Sequence, residues 1–520
     1  MGRAGEILDG PAPPLEDLLR VGLDASPGGM AIVSREDELT WEELDVRASR
    51  LAAAYAARLE PGARLASLMP NRTALLVHYL ACFRAGLVAV PLNYRYTHRE
   101  IDHALQVSGA SGVVAHAERA EDLAASELAP ALGVRITYGA DEPDGNDRLE
   151  TLIEEGDVGA GFPAPSPADP AAIFFTSGST GPAKGVTHTH ESLRWMIASA
   201  RAAFGLTDED RFLPGSSMSH IGSFLWALSI LSVGGRVVVA RTFDSHELLP
   251  LLREQRPTVL AMIPAALSAL IHDHDLEPSD LSCLRICRSG SDAVSTELLR
   301  EFAELAGFPI DEGYGMTEVG IATLNPPSGV IKQGSIGPPI AGFEIEIRDD
   351  SGAPLGDESV GRIWMRTRSQ MAGYWEAQDA TDEVVIEGWL DSGDLARTDA
   401  DGYLWFFGRK KQVIVHDGSN ISPLEVEGAL LEHPAVALAG VVGVHDVVHG
   451  ENVRAYVALE PGAERPGQGD LIVFARERVG YKAPEEVVIL EEMPLNPTGK
   501  IDRAGLKRMA EEHLHPHGLD

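Results

Sequence analysis

The chain has 520 residues, 44% of them hydrophobic, and carries a formal net charge of −35 at pH 7. That length asks for more than one domain, and so acidic a surface repels nucleic acid and, unless the field is reversed locally, free nucleotide as well. Three cysteines, Cys82, Cys283 and Cys287, give neither a disulfide framework nor a metal-ligand spacing; a reducing compartment is expected, with Cys283 and Cys287 as core packing.

At the N-terminus, Met1 to Glu6 lead into no apolar signal segment, and Glu6 breaks the myristoylation pattern. No run reaches membrane-spanning length without charge. A soluble, cytoplasmic protein with no membrane span is expected. Residues 39–58 predict an amphipathic helix with Thr40 as N-cap and Glu43 at the third helical position. Residues 73–84 predict a buried helix and 88–92 a strand. Strand and helix signals then alternate through Asp244, the pattern of parallel α/β layers, with 237–240 and 259–263 as buried strands. The Pro/Ala/Asp-rich stretch 157–170 predicts a loop. Residues 343–348 and 361–366 alternate as strands do, and 403–407 are β-rich. Near Gly408 the pattern resets to an α+β unit of about 110 residues. Within it, 423–432 is a helix opened by Pro423, 438–444 and 453–459 are strands, 468–478 is a helix and 487–490 a strand.

Five clusters carry chemistry. The first, Thr176-Ser-Gly-Ser-Thr-Gly-Pro-Ala-Lys-Gly185, places four hydroxyls and three glycines around Lys184, directly after the apolar run 171–175. Glycines let backbone N–H groups approach an anion, hydroxyls add donors and Lys184 adds a point charge. This is phosphate-holding chemistry or, read blandly, a flexible linker. It is not the P-loop pattern, since Gly185 follows the lysine where a hydroxyl residue is required. Tyr314-Gly-Met-Thr-Glu318 offers a ring to stack, a permissive glycine at Gly315, a hydroxyl at Thr317 and a carboxylate at Glu318 for Mg²⁺, or else an ordinary turn. Asp394 follows a glycine, suited to ribose hydroxyls or to a β-turn. Gly408-Arg-Lys-Lys411 is a basic cluster at the pattern reset, or a solvated turn. Lys500 follows Thr-Gly near the C-terminus, where a tail lysine is the plain alternative. No H-E-x-x-H spacing and no convincing Ser/His/Asp or Cys/His arrangement occurs.

In this order and spacing the motifs resemble the adenylate-forming superfamily, which includes acyl-CoA synthetases, aryl-CoA ligases, firefly luciferase and peptide-synthetase adenylation domains. The resemblance runs from about Leu39 to Arg503. It implies an α/β fold: a large N-terminal domain, residues 1–408, of two α/β subdomains plus a β-barrel-like subdomain, and a small mobile α+β domain, residues 409–520. The implied reaction turns a carboxylic acid and Mg·ATP into an acyl-adenylate and pyrophosphate. A thiol, usually that of coenzyme A, then takes the acyl group and releases AMP. ATP, Mg²⁺ and coenzyme A are the implied cofactors, and a homodimer is allowed.

Residue by residue, the resemblance implies that Thr176, Ser177, Gly178, Ser179, Thr180, Gly181 and Lys184 cradle the β- and γ-phosphates. Tyr314 stacks on adenine, with Gly290, Ser291, Asp292, Glu312 and Gly315 about the nucleotide. Thr317 touches the α-phosphate, Glu318 ligates Mg²⁺, and Asp394 holds the ribose with Arg409 beside it. Lys500 bridges the attacking carboxylate and the α-phosphate, Lys411 is the hinge, and Gly418 lines the thiol tunnel. The acyl pocket is implied near His220, Ser223, Trp226, Arg288, Gly290 and Gly320. His220 reads either as a gate ring or as a packed helix-start histidine. Arg288 either holds an anionic substrate tail or pairs with a nearby acid, and Gly222 and Gly320 leave room for a longer chain. Four positions depart from the family pattern. Ala183 replaces a proline and loosens the phosphate loop, Gln412 replaces an acid after the hinge, Arg362 is expected on the surface, and Asp417 disfavours the phosphates of coenzyme A. An amine or a carrier-protein thiol is therefore the alternative acceptor. A catalytically silent binding homologue is a third reading, against which Lys184, Glu318 and Lys500 are retained.

Overall fold

The computed structural model describes residues 3–5, 7–140, 146–159, 161–176, 183–290, 294, 296–326, 329–416, 419–446, 450–496 and 499–513. Two largely parallel sheets dominate. The first has eight strands in the order Gly373–Tyr374, Lys184–Thr189, Pro170–Thr176, Val88–Pro91, Arg64–Leu68, Gly112–His116, Val134–Tyr138 and Asp147–Arg148. Its pairs are parallel except where Lys184–Thr189 runs antiparallel to Pro170–Thr176 and to Gly373–Tyr374. The second has six strands, Ile286–Ser289, Val259–Met262, Arg211–Gly215, Arg236–Val239, Met30–Ser34 and Glu38–Thr40, parallel but for the last pair. Short apolar runs such as Val259–Met262 are buried along their whole length, as strands covered on both faces must be.

Helices fill the space between. Trp41–Ala56 opens with a capping box in which Thr40 accepts from the Glu43 N–H and the Glu43 side chain returns to Thr40. It packs on Thr73–Arg84, whose first eleven residues are all buried. Cys82 and Cys287 are buried in the core, whereas Cys283 is half-buried, its thiol 3.6 Å from the Asp280 carbonyl. Among the described residues no helix is long and apolar enough to cross a membrane.

A third, antiparallel sheet of six strands contains Phe343–Arg348, Gly361–Thr367, Trp389–Thr398 and Leu404–Arg409. Arg362 is half-buried in it rather than at the surface. Its guanidinium pairs with Asp391 and lies 5.4 Å from the Trp364 ring centre, so packing holds it inside. After Arg409 the chain makes one 3₁₀ turn, Lys410–Gln412, and enters a different sheet at Ile414–His416. That sheet is Ser419–Ile421, Ile414–His416, Gly450–Leu459 and Val436–Asp446, with Glu486–Leu490 parallel to Gly450–Leu459. It has its own core, in which Ile414, Val426, Val441, Val457, Leu471 and Val487 are buried together. The molecule is thus a large domain of three layered units and a small α+β domain.

Candidate active site

Residues just past the carboxyl ends of the two parallel sheets touch, Asn71 donating to the Ser216 carbonyl and Asn93 lying 3.4 Å from His220, the usual location of ligand sites in such folds; the hairpin Gly313–Met316 and Gly320–Leu324 follows the second sheet. Met316 pairs with Gly320, so Thr317, Glu318 and Val319 form the turn. Gly315 is required here, because a Cβ on it would lie 2.3 Å from the Gly320 carbonyl oxygen. Tyr314 is buried, its ring tilted at 5.8 Å against Phe406. Its hydroxyl donates to Asp394 Oδ2 at 2.6 Å. Burial and the neighbouring carboxylate push the Tyr314 pKa up, so it stays a donor.

Asp394 is 4% exposed and lies opposite Arg409 across the strand pair. Burial raises its pKa, while Arg409 pulls it down. The Arg409 Nε stands 3.4 Å from Oδ1, yet Oδ1 is buried and accepts no hydrogen bond. A buried oxygen in that condition is a place for a ligand hydroxyl.

The turn is fixed from three sides. His188 Nε2 lies 2.7 Å from the Thr317 carbonyl oxygen, and the Met371 N–H donates to the Glu318 carbonyl at 2.7 Å. The Tyr374 hydroxyl donates to Glu318 Oε1 at 2.9 Å. Glu318 is buried, and burial raises its pKa. Lys184, at the start of its strand, places Nζ 4.8 Å from the Tyr374 ring centre. His103 Nε2 lies 2.7 Å from the Ala183 carbonyl oxygen, so the residue in the proline position is tethered by its own main chain. Thr176 ends the strand that faces Lys184. Ser177, Gly178, Ser179, Thr180, Gly181, Ser291, Asp292, Asp417 and Gly418 lie outside the described residues.

From the small domain, Asn496 and Lys500 close a tight turn through an Asn496 N–H to Lys500 carbonyl bond of 2.7 Å. Gly499 sits at φ +83°, and a Cβ there would come 3.4 Å from Ile263 Cδ1 of the large domain. The turn therefore docks beside the second sheet. The charge of Lys500 is felt at both His220 and Asp394, lowering their pKa values.

His220 begins the helix Ile221–Ser232 and faces Asn93, with 3.4 Å between Asn93 Nδ2 and His220 Nε2. Burial first and then Lys500 bring its pKa down to about 4, so the ring is neutral near pH 7. Ser223 is buried, its hydroxyl 2.6 Å from that of Ser216.

Three pocket assignments need correction. Trp226 is packed between Phe204 and Phe212, ring centres 4.1 and 5.5 Å away, and belongs to the core. Gly320 is closed on its Cβ side, where a Cβ would lie 2.8 Å from Met196 Sδ and 3.3 Å from Leu225, whereas the Cβ side of Gly222 is open. Arg288 forms no direct ion pair among the described residues, although its charge acts on the carboxylates of Asp311 and Glu312. It donates to the Asp311 and Gly313 carbonyls at 2.7 Å each and so pins the strand that bears Tyr314. Gly290 backs onto that guanidinium, and Glu312 accepts from the Gly334 N–H at 3.0 Å.

Asn93, His103, His188 and Tyr374 were not singled out in the sequence. The alternation in Thr187-His-Thr-His190 was the available signal for His188. Nothing local marks Tyr374, whose partner is 56 residues away.

A family model for AMP-binding enzymes matches residues 21–375, and one for the AMP-binding enzyme C-terminal domain matches residues 425–500. A feruloyl-CoA synthase of Amycolatopsis sp is 34% identical over 488 residues, 93% of this chain and 96% of that protein. A fatty acid–[acyl-carrier-protein] ligase, ScoC, of Streptomyces coeruleorubidus is 31% identical, covering 92% of this chain and 93% of its own. Among solved structures, ATP-bound MatB from Rhodopseudomonas palustris superposes with a TM-score of 0.88 at 28% identity, over 96% of this chain and 99% of that one. The amide bond synthetase McbA from Marinactinospora thermotolerans gives 0.85 at 27%, over 95% and 99%. The chain therefore belongs to the AMP-binding enzyme family, within the adenylate-forming superfamily, and is an AMP-forming acid–thiol ligase.

Proposed function

We propose that the chain activates a carboxylic acid with Mg·ATP as an acyl-adenylate and then passes the acyl group to the thiol of coenzyme A. The observation that carries this reading is one convergence. Tyr374 joins the buried Glu318 carboxylate to Lys184, and Lys500 of the small domain acts by charge on Asp394, whose buried Oδ1 accepts no hydrogen bond.

In the first half-reaction a carboxylate oxygen attacks the α-phosphorus, the bond to the bridging oxygen breaks, and pyrophosphate leaves. The nucleophile is already an anion, so the task is positioning and charge neutralisation. In this reading Lys500 spans the carboxylate and the α-phosphate, and Thr317 donates to that phosphate. Asp394 accepts from the ribose hydroxyls, Tyr314 flanks adenine, and the loop from Thr176 to Lys184 holds the outer phosphates. Glu318 would hold Mg²⁺. Its buried carboxylate has no ion-pair partner among the described residues, and among them no three His, Cys, Asp or Glu form a metal cage. With one buried carboxylate to hold it, a bound Mg²⁺ would also need the substrate phosphates, and it would supply charge neutralisation there. In the second half-reaction the thiol sulfur attacks the acyl carbon, the bond to AMP breaks and the thiol proton is lost to solvent. We assign residues 1–408 and 409–520 as the two moving bodies, with Lys411 as pivot.

Met196 and Leu225 close the space behind Gly320, whereas the space beside Gly222 is open, so an aromatic acid is weighed against a longer chain. Similarity to a feruloyl-CoA synthase supports the aromatic choice. The test is pyrophosphate exchange across aromatic acids and a chain-length series, then AMP release with coenzyme A, a carrier-protein thiol or an amine. Exchange with none of the acids leaves a silent homologue. Exchange followed by acyl transfer to an amine alone favours the competing acceptor, which the likeness to an amide bond synthetase motivates.

A further inference from the structure

We infer that His188 is a positioning residue for the proposed metal ligand: by holding the Thr317 carbonyl it fixes the peptide that links Thr317 to Glu318. This rests on the reading of Glu318 given above. The relevant hydrogen bond spans 129 residues of sequence and is 2.7 Å long. A carbonyl can only accept, so Nε2 carries the proton and donates. Nδ1 then holds the lone pair, and it faces the Ser192 hydroxyl at 3.3 Å. The ring is fully buried, with Phe174 edge-on at 6.3 Å. Burial brings its pKa down to about 4, so this neutral tautomer persists across the working pH range.

The geometry explains why the tether matters. Thr317 and Glu318 lie in a three-residue turn, where strand pairing does not set the peptide planes. The carbonyl that His188 grips lies in the plane joining those two residues. Rotation of that plane would swing the Thr317 hydroxyl and the Glu318 carboxylate together. His188 is the fifth residue of the strand Lys184–Thr189, so the imidazole ties the turn to the strand that begins with Lys184. Tyr374 adds a second tie from the neighbouring strand, through the carboxylate itself.

The test compares His188→Asn, polar but too short to reach, with His188→Gln, whose amide nitrogen can donate across the gap. Equilibrium binding of ATP is measured with and without Mg²⁺, alongside the melting temperature. The gain in ATP affinity on adding Mg²⁺ should fall about tenfold in the Asn variant and stay within about threefold of wild type in the Gln variant. A purely structural role would lower both melting temperatures and leave that gain unmoved, which overturns the proposal. Loss of the gain in both variants alike also overturns it, because the donor would then be irrelevant. If the Asn variant does not fold, His188→Leu is read in its place by the same criterion. Acid-dependent pyrophosphate exchange by the wild-type chain tests the underlying reading separately. Its absence sinks both, whereas exchange with an unmoved Mg²⁺ gain in the Asn variant sinks this inference alone.

Discussion

Lys500 and Asp311 show how differently two charged groups can behave beside the same site. Lys500 reaches it from another domain, and its charge lowers the pKa values of His220 and Asp394. Replacing it by alanine should reduce acid-dependent pyrophosphate exchange by about 100-fold or more, the scale for removing one stabilising donor. Thioester formation from preformed acyl-adenylate should remain within a few-fold of wild type, and equal loss in both half-reactions would refute its assigned role. Asp311 is buried beneath the Tyr314 hairpin, and burial raises its pKa from the ordinary 3.8 to about 7, against the opposing pull of Arg288. Its folded pKa exceeds the unfolded one, so its contribution is most favourable below pH 4 and is lost as pH rises toward 7. Asp311→Asn should therefore stabilise the protein more at pH 8 than at pH 5, by up to about 1.4 kcal/mol per pH unit over the rising part. Thermal melts at the two pH values check this, and a pH-independent difference would contradict it.

At the scale of elements, the helix Ile221–Ser232 shows what pattern alone cannot supply. Residues 223–232 are all buried, so the helix has no polar face by which to tell pocket from core. The resemblance puts both His220 and Trp226 near the acyl pocket, but the packing of Phe204 and Phe212 around Trp226 is a tertiary fact. Trp226→Ala should destabilise the protein by about 3–5 kcal/mol through the cavity it leaves. The ratio of kcat/KM between aromatic and aliphatic acids should not change; a shifted ratio would return Trp226 to the pocket. By contrast, Trp41–Ala56 was legible to within two residues at either end, since Thr40 and Glu43 form its capping box locally. The strand Lys184–Thr189 lies between these cases. Its lysine stood out, but the tethers at Ala183 and His188 come from elements far along the chain.

For the whole molecule the decisive feature is the single 3₁₀ turn between the antiparallel sheet that ends at Arg409 and the next sheet, which the chain enters at Ile414. Lys410 is tied back to Asp350 of the large domain, and Lys411, the proposed pivot, follows it. Lys411→Pro locks one backbone dihedral. It should slow acyl transfer to the thiol by about tenfold or more while changing pyrophosphate exchange less than threefold. Rapid-quench kinetics of the two half-reactions measure this, and unchanged thiolation would remove the pivot.

Sequence by itself determined the family, the α/β class and the identities of the candidate charged groups. Each of these is written in short segments whose spacing, caps and glycines act locally. Tertiary structure alone decided how those groups are aimed. His188 and Thr317 meet across 129 residues, and Arg288 donates to two main-chain carbonyls while its charge holds down the pKa of buried Asp311. Such choices depend on which polar groups burial would otherwise leave unpaired, and that is settled only when the layers close.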